Sequence, residues 1–355
     1  MKRCIITCII VAIAIMGTKL LAQGASNTKT VDDQAVPELT KATIEPQLTP
    51  RPLEMYDADG DKKYYVSGSY RYTYIGAGKG IRLERFSEDS PLNQAKKVVI
   101  PSELDGYPVR RIAGNSFSLN PYVEEVTIPD SVEVIGNQAF MMCKSLKSVH
   151  IGKNVRKIDN DAFYMCKKLE KVSGGETLRV LRLRAFQYCR ALKDIPFYNS
   201  KYKIATYDGV FSATGLSKLT IHKNMRVSGS MFKGCKQLKT VKWKYYEEWW
   251  TESVFENCTS LKKVILPKNM KEIQERSFYN CRKLTSVNIP NKVEWIGPKA
   301  FGNCKNLKKL KLPKSINKIE KNAFRGCKKL TLYVKKGSYA HNYAKKHHIK
   351  YKYYK

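Results

Sequence analysis

Eight cysteines are the residues of this chain with the most chemistry to offer: Cys143, Cys166 and Cys189, then Cys235, Cys258, Cys281, Cys304 and Cys327, all in register on a spacing of 23. A nucleophilic thiol needs one singular cysteine beside a histidine, and a zinc site needs a C-x-x-C or a paired histidine set. Neither pattern is present. Each cysteine holds the same place in a recurring stretch, so its role is the role of that place. The five histidines are His150, His222, His341, His347 and His348. They stand in different stretches or in a lysine-rich tail, without a carboxylate or nucleophile constellation. Asp57-Ala58-Asp59-Gly60-Asp61 alternates carboxylates like a calcium loop, but the sixth position is Lys62 and the twelfth is Gly68, where such a loop needs glycine and glutamate. Gly76-Ala77-Gly78-Lys79-Gly80 is not followed by Ser or Thr and completes no phosphate-binding loop. The sequence therefore reads as a non-enzyme with no cofactor and no metal site. What it offers instead is charge: 65 Lys and Arg against 31 Asp and Glu give a formal +34. Such a surplus suits a polyanion or an anionic cell surface, and it also keeps an exported protein in solution.

The element that positions these residues is a 23-residue repeat. Phe117, Phe140, Phe163 and Phe186 are evenly spaced, as are Phe232, Phe255, Phe278, Phe301 and Phe324, with Phe211 between the two series. Behind eight of these ten phenylalanines Cys follows at three residues and Leu at six, and aliphatic residues recur in most coils at nine and eleven and again at fifteen and eighteen. A period of this length belongs to a solenoid. Val149 and Ile151, or Val287 and Ile289, are two apart, so both face one side of a short strand. One coil cannot bury that side alone; stacked coils can. Pro129, Pro267, Pro290 and Pro313 come just after the strand and end its pairing. Stacking also places equivalent Cβ atoms about 4.8 Å apart and parallel, wider than the ~3.5–4.5 Å a disulfide prefers, so free buried thiols are expected; export alone argues for disulfides.

The ends differ from the middle. Lys2-Arg3, the apolar run from Ile5 to Met16 and the small-residue exit around Ala22 to Ala25 read as a signal peptide over residues 1–22, with a retained signal anchor as the alternative. Residues 23–62 are rich in Thr, Pro and acids and read as a disordered linker. Residues 63–96 hold a hairpin, Tyr70 to Ile75 and Ile81 to Phe86, expected to cap the first coil. The solenoid is expected over 97–334, and 335–355 reads as a second cap: Ser338 starts a short helix with Tyr339 and Tyr343 on a shared face, and a strand follows. No later stretch has the ~18 apolar residues of a membrane helix.

Val98-Val99-Ile100-Pro101-Ser-Glu-Leu104-Asp105-Gly106-Tyr107-Pro108-Val109, leading to Ile112 and Phe117 and then to A-F-x-x-C-x-x-L-x-x-V-x-I-P repeats, resembles the BspA-like branch of bacterial leucine-rich repeat proteins. The likeness covers residues 63–355 and includes an irregular coil at Tyr207-Asp208-Gly209-Val210-Phe211 with Leu219 and Ile221. It departs at Val210, Met231 and Val254, which replace the alanine before phenylalanine, and in the coil after Trp243. The resemblance implies an α/β, strand-dominated, right-handed leucine-rich repeat solenoid on a bacterial surface, in a family where some members adhere to host matrix proteins or to other cells.

Two surface features remain. In Lys244-Tyr245-Tyr246-Glu247-Glu248-Trp249-Trp250, Glu247 falls where an aliphatic fifteenth residue belongs, so the run must bulge. Either some of its rings face outward as contact residues, or Trp243 and Trp250 fill core slots and the tyrosines cover a widened groove. The eighth and tenth positions of each coil point away from the core: Ser148 and His150, Lys171 and Ser173, Lys218 and Thr220, Thr240 and Lys242, Lys263 and Ile265, Ser286 and Asn288, Lys309 and Lys311. This face is basic, with Asp194 as its acid. Lys242, Lys263, Lys309 and Lys311 beside Tyr245, Tyr246 and Trp249 form the candidate contact surface for a host or bacterial surface protein or an anionic glycan; a merely solvated lysine face is the plain alternative. A specific nucleic-acid partner is not expected. The functional reading is an exported, adhesin-like recognition protein, secreted or held at the cell surface, against a wall-associated scaffold tethered by charge.

Overall fold

Val149 and Ile151 are both buried while Ser148 and His150 turn outward, so the strand Ser148–Ile151 presents one face to the core. It pairs in parallel with Glu125–Thr127 on one side and Lys171–Gly174 on the other, and Val149 stands level with Val126 and Val172. These elements belong to a computed structural model that describes residues 53–56 in backbone only, 63–76, 79–86, 90–195, 197, 200–247 and 251–355. The expected leader, most of the expected linker, the Asp57–Asp61 stretch, and Trp249 and Trp250 lie outside them.

A second strand closes most coils. Lys157–Ile158 pairs in parallel with Val134–Ile135 and Val180–Leu181, placing the fifteenth and eighteenth positions, such as Val155 and Ile158, in the core at 0% exposure. The third side is a turn carrying two left-handed residues, one on each side of the phenylalanine: Gln138 at φ 58° and Met142 at φ 57° flank Phe140, and Asp161 and Met165 flank Phe163 at 56° and 57°. This conformation costs non-glycine residues some strain. Here it aims every second N–H at the next coil: Gln138 N donates to Asn160 O at 2.8 Å, Phe140 N to Ala162 O at 2.7 Å and Met142 N to Tyr164 O at 2.7 Å. All three sides of the coil are thus hydrogen-bonded along the stack, and few main-chain groups are left to orphan.

Inside the turns the phenylalanines stack face to face. Phe117 and Phe140 are 4.9 Å apart with an interplanar angle of 1°, Phe140 and Phe163 5.2 Å apart, and the column runs on to Phe301 and Phe324 at 5.7 Å. Its widest step, 6.2 Å, lies between Phe211 and Phe232, at the irregular coil. Both ends of the column finish on an edge-on ring, Phe86 against Phe117 at 5.0 Å and Tyr343 against Phe324 at 6.1 Å.

The prolines set strand length. The strands that end one residue before an aliphatic–proline pair, Lys97–Val99, Glu125–Thr127, Lys263–Ile265, Ser286–Asn288 and Lys309–Lys311, have three residues. Those without it, Ser148–Ile151, Lys171–Gly174, Lys218–Ile221 and Thr240–Trp243, have four. Proline removes the donor that the fourth rung would use.

Each parallel sheet is broken once. The first runs from Lys97–Val99 to Lys171–Gly174, stops, and resumes as seven strands from Lys218–Ile221 to Lys350–Tyr353. The break is the longer interval between Phe186 and Phe211, where Ile195 and Phe197 enter the core instead, Phe197 with its ring 5.8 Å from that of Phe186. The second sheet stops after Ala205–Thr206 and resumes at Glu272–Ile273.

At the N-terminal end, Leu53–Tyr56, Lys63–Ser67, Tyr70–Tyr74 and Ile81–Phe86 are antiparallel, and the last pairs in parallel with Tyr107–Ile112. They therefore extend the second sheet. The linker expected to reach Lys62 is corrected here: Leu53–Tyr56 is a strand, too short between the prolines and acids around it to announce itself. Tyr72 is fully buried and donates its hydroxyl to Asp105 Oδ2 at 2.7 Å, while Ser67 donates to Oδ1 at 2.8 Å, which ties the hairpins to the Asp105-Gly106 turn. At the other end Ser338 caps the helix Tyr339–Lys346, its Oγ accepting from His341 N at 3.3 Å. Tyr339 and Tyr343 share a face as expected, their hydroxyls reaching Ile319 N at 3.5 Å and Glu320 O at 3.1 Å in the last coil; Tyr343 is buried with Ala340 and Ala344, and Tyr339 lies at the rim, 42% exposed. Lys350–Tyr353 then closes the first sheet against Thr331–Val334.

Candidate ligand-binding face

The seven-stranded half of the first sheet presents two rows of outward side chains. Register alignment gives one row as Lys218, Thr240, Lys263, Ser286, Lys309, Thr331 and Lys350, and the other as Thr220, Lys242, Ile265, Asn288, Lys311, Tyr333 and Lys352. In the first row a lysine recurs on every second strand, about 9.6 Å apart at two strand spacings. Ser or Thr stands between each pair, which spares the strands the cost of like charges directly opposite one another. All seven lysines are exposed, and no Asp or Glu occupies an outward position on these strands. Lys311 lies over the Tyr354 ring, with Nζ 4.2 Å from its centroid, which fixes one cation against an aromatic face. Ile265, 45% exposed, is the large apolar residue amid the lysines.

The four-stranded half has a different character. The list of outward residues read from sequence starts at Ser148, but the sheet extends back to Lys97–Val99 and Glu125–Thr127. Glu125 therefore joins the outward row and pairs with Lys97 at 3.2 Å. Here His150 Nδ1 and Ser173 Oγ are 3.1 Å apart. The acid-free face is confined to the C-terminal half.

Of the candidate contact residues, Lys242, Lys263, Lys309 and Lys311 stand together on this face and Tyr245, 48% exposed, follows the strand Thr240–Trp243. Tyr246 is corrected: at 3% exposure it belongs to the core, with its ring 5.9 Å from that of Trp243. Its main chain is held by Asn269 of the next coil, whose Oδ1 accepts from Tyr246 N at 3.2 Å and whose Nδ2 donates to Tyr246 O at 2.6 Å. Trp243, 5% exposed, also fills a core slot. Glu247, in the aliphatic fifteenth position, is half-buried, paired to Lys203 and 3.9 Å from Arg226 of earlier coils. Trp249 lies outside the described residues.

A buried ion cluster was not visible in the sequence. Glu256, 2% exposed, receives Arg276 Nε at 3.0 Å, with Lys233 Nζ at 3.3 Å. Burial pushes its carboxyl up, but the Arg276 and Lys233 contacts outweigh this and leave it below the usual glutamate range. Nothing in the residue types marks it, since Glu256 stands one place after Phe255, in a slot where other coils carry residues as unlike as Met141, Tyr164, Lys233 and Gly302. Among the described residues, no group of three or more His, Cys, Asp or Glu could hold a metal ion, and no helix is long and apolar enough to cross a membrane.

The chain belongs to the BspA-type leucine-rich repeat family, whose model matches residues 110–239 and 227–343. Among solved structures it is similar to the pneumococcal vaccine antigen PcpA, at 22% identity and a TM-score of 0.57 over 76% of this chain and 81% of that one. A leucine-rich repeat protein from Bacteroides ovatus aligns at 23% identity and a TM-score of 0.46, over 82% of this chain and 100% of that one. That of T. pallidum aligns at 23% and 0.41, over 67% and 88%. At such identities the likeness is one of fold. No curated protein matches the chain.

Proposed function

We propose that the chain is a non-enzymatic recognition protein, exported and either secreted or held at a bacterial surface, that takes an acidic protein segment or an anionic glycan on the C-terminal half of its first sheet. The observation that carries this reading is the acid-free face on which Lys218, Lys263, Lys309 and Lys350 recur on alternate strands with Lys242 and Lys311 beside them. A regular row of cations matches a ligand whose anionic groups also repeat, and a broad sheet has room for an extended one. The Lys2-Arg3 leader supports export, and membership of a leucine-rich repeat family supports a partner-binding role.

The test is binding of the purified protein to matrix proteins and anionic glycans at physiological salt, with the producer's own wall polymer as comparison. Changing Lys242, Lys263, Lys309 and Lys311 together to Glu should weaken binding roughly tenfold or more and flatten its salt dependence, at up to ~1 kcal/mol for each exposed contact. The same change at the exposed turn lysines Lys144, Lys167, Lys168 and Lys328 should do less. Equal losses would mean that net charge acts diffusely and that the face is no site; binding confined to the wall polymer would favour the scaffold.

A further inference from the structure

The turn edge of the solenoid carries a feature independent of the lysine rows. The left-handed residues two places after each phenylalanine form a ridge: Met142, Met165 and Tyr188 at φ 57°, 57° and 64°, and further on Asn257, Asn280 and Asn303 at 60°, 60° and 58°. Between Tyr188 and Asn257 the ridge drops, because the irregular coil and the next one place Ala213 and Gly234 there, at φ 56° and 73°. The drop is an open groove of about 930 Å³, within the ~300–1,000 Å³ of ligand sites generally.

Its lining is cationic and amide-rich. Arg190, Lys236 and Arg282 are exposed and have no carboxylate partner among the described residues; Lys233, the fourth cation, is engaged with Glu256. Arg282 Nε donates to Asn280 Oδ1 at 2.8 Å, which holds that guanidinium in place. Arg190 lies 6.0 Å from the Tyr188 ring centroid. Gln187, Gln237 and Asn257 add donors and acceptors in side chains. The main chain of the floor is already committed: Tyr188 N donates to Ser212 O, Ala213 N to Lys233 O and Gly234 N to Glu256 O, at 2.9, 2.7 and 2.7 Å. A peptide would find no open strand edge to pair with, whereas a polyol with acidic groups needs only side chains.

We propose that this groove binds a short anionic oligosaccharide, whose carboxylate or sulfate groups meet Arg190, Lys236 and Arg282 and whose hydroxyls meet Gln187, Gln237 and Asn257. The site is distinct from the lysine face and stands or falls apart from it.

Calorimetric titration of the intact protein with a short oligogalacturonate and with a chondroitin sulfate oligosaccharide tests it, against methyl-esterified oligogalacturonate and a glutamate oligopeptide. An acidic saccharide should bind, the neutral ester should bind at least tenfold more weakly, and R190Q/K236Q/R282Q should cost roughly tenfold. A213Y/G234N rebuilds the ridge without touching a charge, and should abolish binding with only a small fall in melting temperature, because asparagine tolerates the left-handed backbone that Gly234 adopts at φ 73°. Both side chains have precedents in equivalent slots, Tyr188 and Asn280, and a Cβ on Gly234 meets nothing closer than 3.7 Å. The quadruple glutamate variant of the lysine face should bind the saccharide within about twofold of the parent. Absence of binding by both acidic saccharides, equal binding of the ester, tighter binding of the peptide, or undiminished binding by A213Y/G234N would overturn the proposal.

Discussion

The Cys166 thiol lies 3.0 Å from the carbonyl oxygen of Phe140, 26 residues back and one coil away. The same bond recurs at each of the eight cysteines, from 2.9 Å at Cys327 to 3.3 Å at Cys235. It explains why the slot takes cysteine and not alanine: the thiol fills a small volume and gives a turn carbonyl a second, weak donor. In the irregular coil Thr214 takes the slot and turns its hydroxyl to Phe211 O at 2.8 Å.

Free thiols follow from this geometry, and all eight are unpaired in the structure. In denaturant without reductant, protein lacking its first 22 residues should titrate eight thiols; four or fewer would refute the packing role. In the native protein, burial pushes Cys166, Cys258 and Cys304 up and Cys235 to about 11, so the reactive thiolate is scarce at pH 8. Alkylation there should label Cys327, the half-buried member, well before the other seven. Uniform labelling would show that the coils open together.

The Glu256 cluster predicts a sign for acid stability. Its carboxyl is held below the usual range, so its contribution is present at neutral pH and is lost as pH falls through ~4.3 and below. Asp161 and Asp208 are raised by burial, so protonating them favours the folded state and opposes the loss. Glu256→Gln leaves Arg276 and Lys233 without their partner. It should cost on the order of 2–3 kcal/mol at pH 7, less than a fully buried pair because the Arg276 side chain is 31% exposed. Urea unfolding from pH 7 to pH 3 should show the gap between variant and parent closing with acid. A gap that is constant with pH would locate the effect elsewhere.

Much of the fold was legible because every coil repeats the same physical problem. Phe140, Cys143, Leu146, Val149, Ile151, Val155 and Ile158 are all buried, and each was marked by its spacing alone. What could not be read depended on how one coil lies on the next. Tyr246 looked like a surface ring because its coil breaks the pattern, and only the Asn269 contacts show the chain turning it inward. The alternation of Lys with Ser or Thr was legible as far as Lys309, but its run on through Thr331 to Lys350 needs the strand pairing of the cap, where the 23-residue spacing is lost. The groove at Ala213 and Gly234 needs two consecutive small side chains on one ridge, and the uneven spacing of Phe186, Phe211 and Phe232 hides that alignment. Glu256 stands in a slot with no periodic signature, and burial of a charge cannot be seen before its partners are placed.

The C-terminal cap supplies the last prediction. Lys350–Tyr353 covers the strand Thr331–Val334, and Tyr343 covers the end of the phenylalanine column while its hydroxyl donates to Glu320 O at 3.1 Å. Tyr354 reaches back to Leu312 O at 2.9 Å. Deleting Gly337 to Lys355 therefore leaves an unpaired strand edge beside the newly uncovered Phe324, a template for association with another chain. The truncated protein should aggregate in a concentration-dependent manner and melt at lower temperature. Its N-terminal coils should keep their stability, because each contacts only its neighbours. Tyr343→Phe, which removes one hydrogen bond and keeps the ring, should cost only about 0.5–1.5 kcal/mol and leave the protein monomeric. Light scattering and thermal melts on the two variants decide the matter: a truncated chain that stays monomeric with an unchanged melting profile would show that the last coil needs no cover.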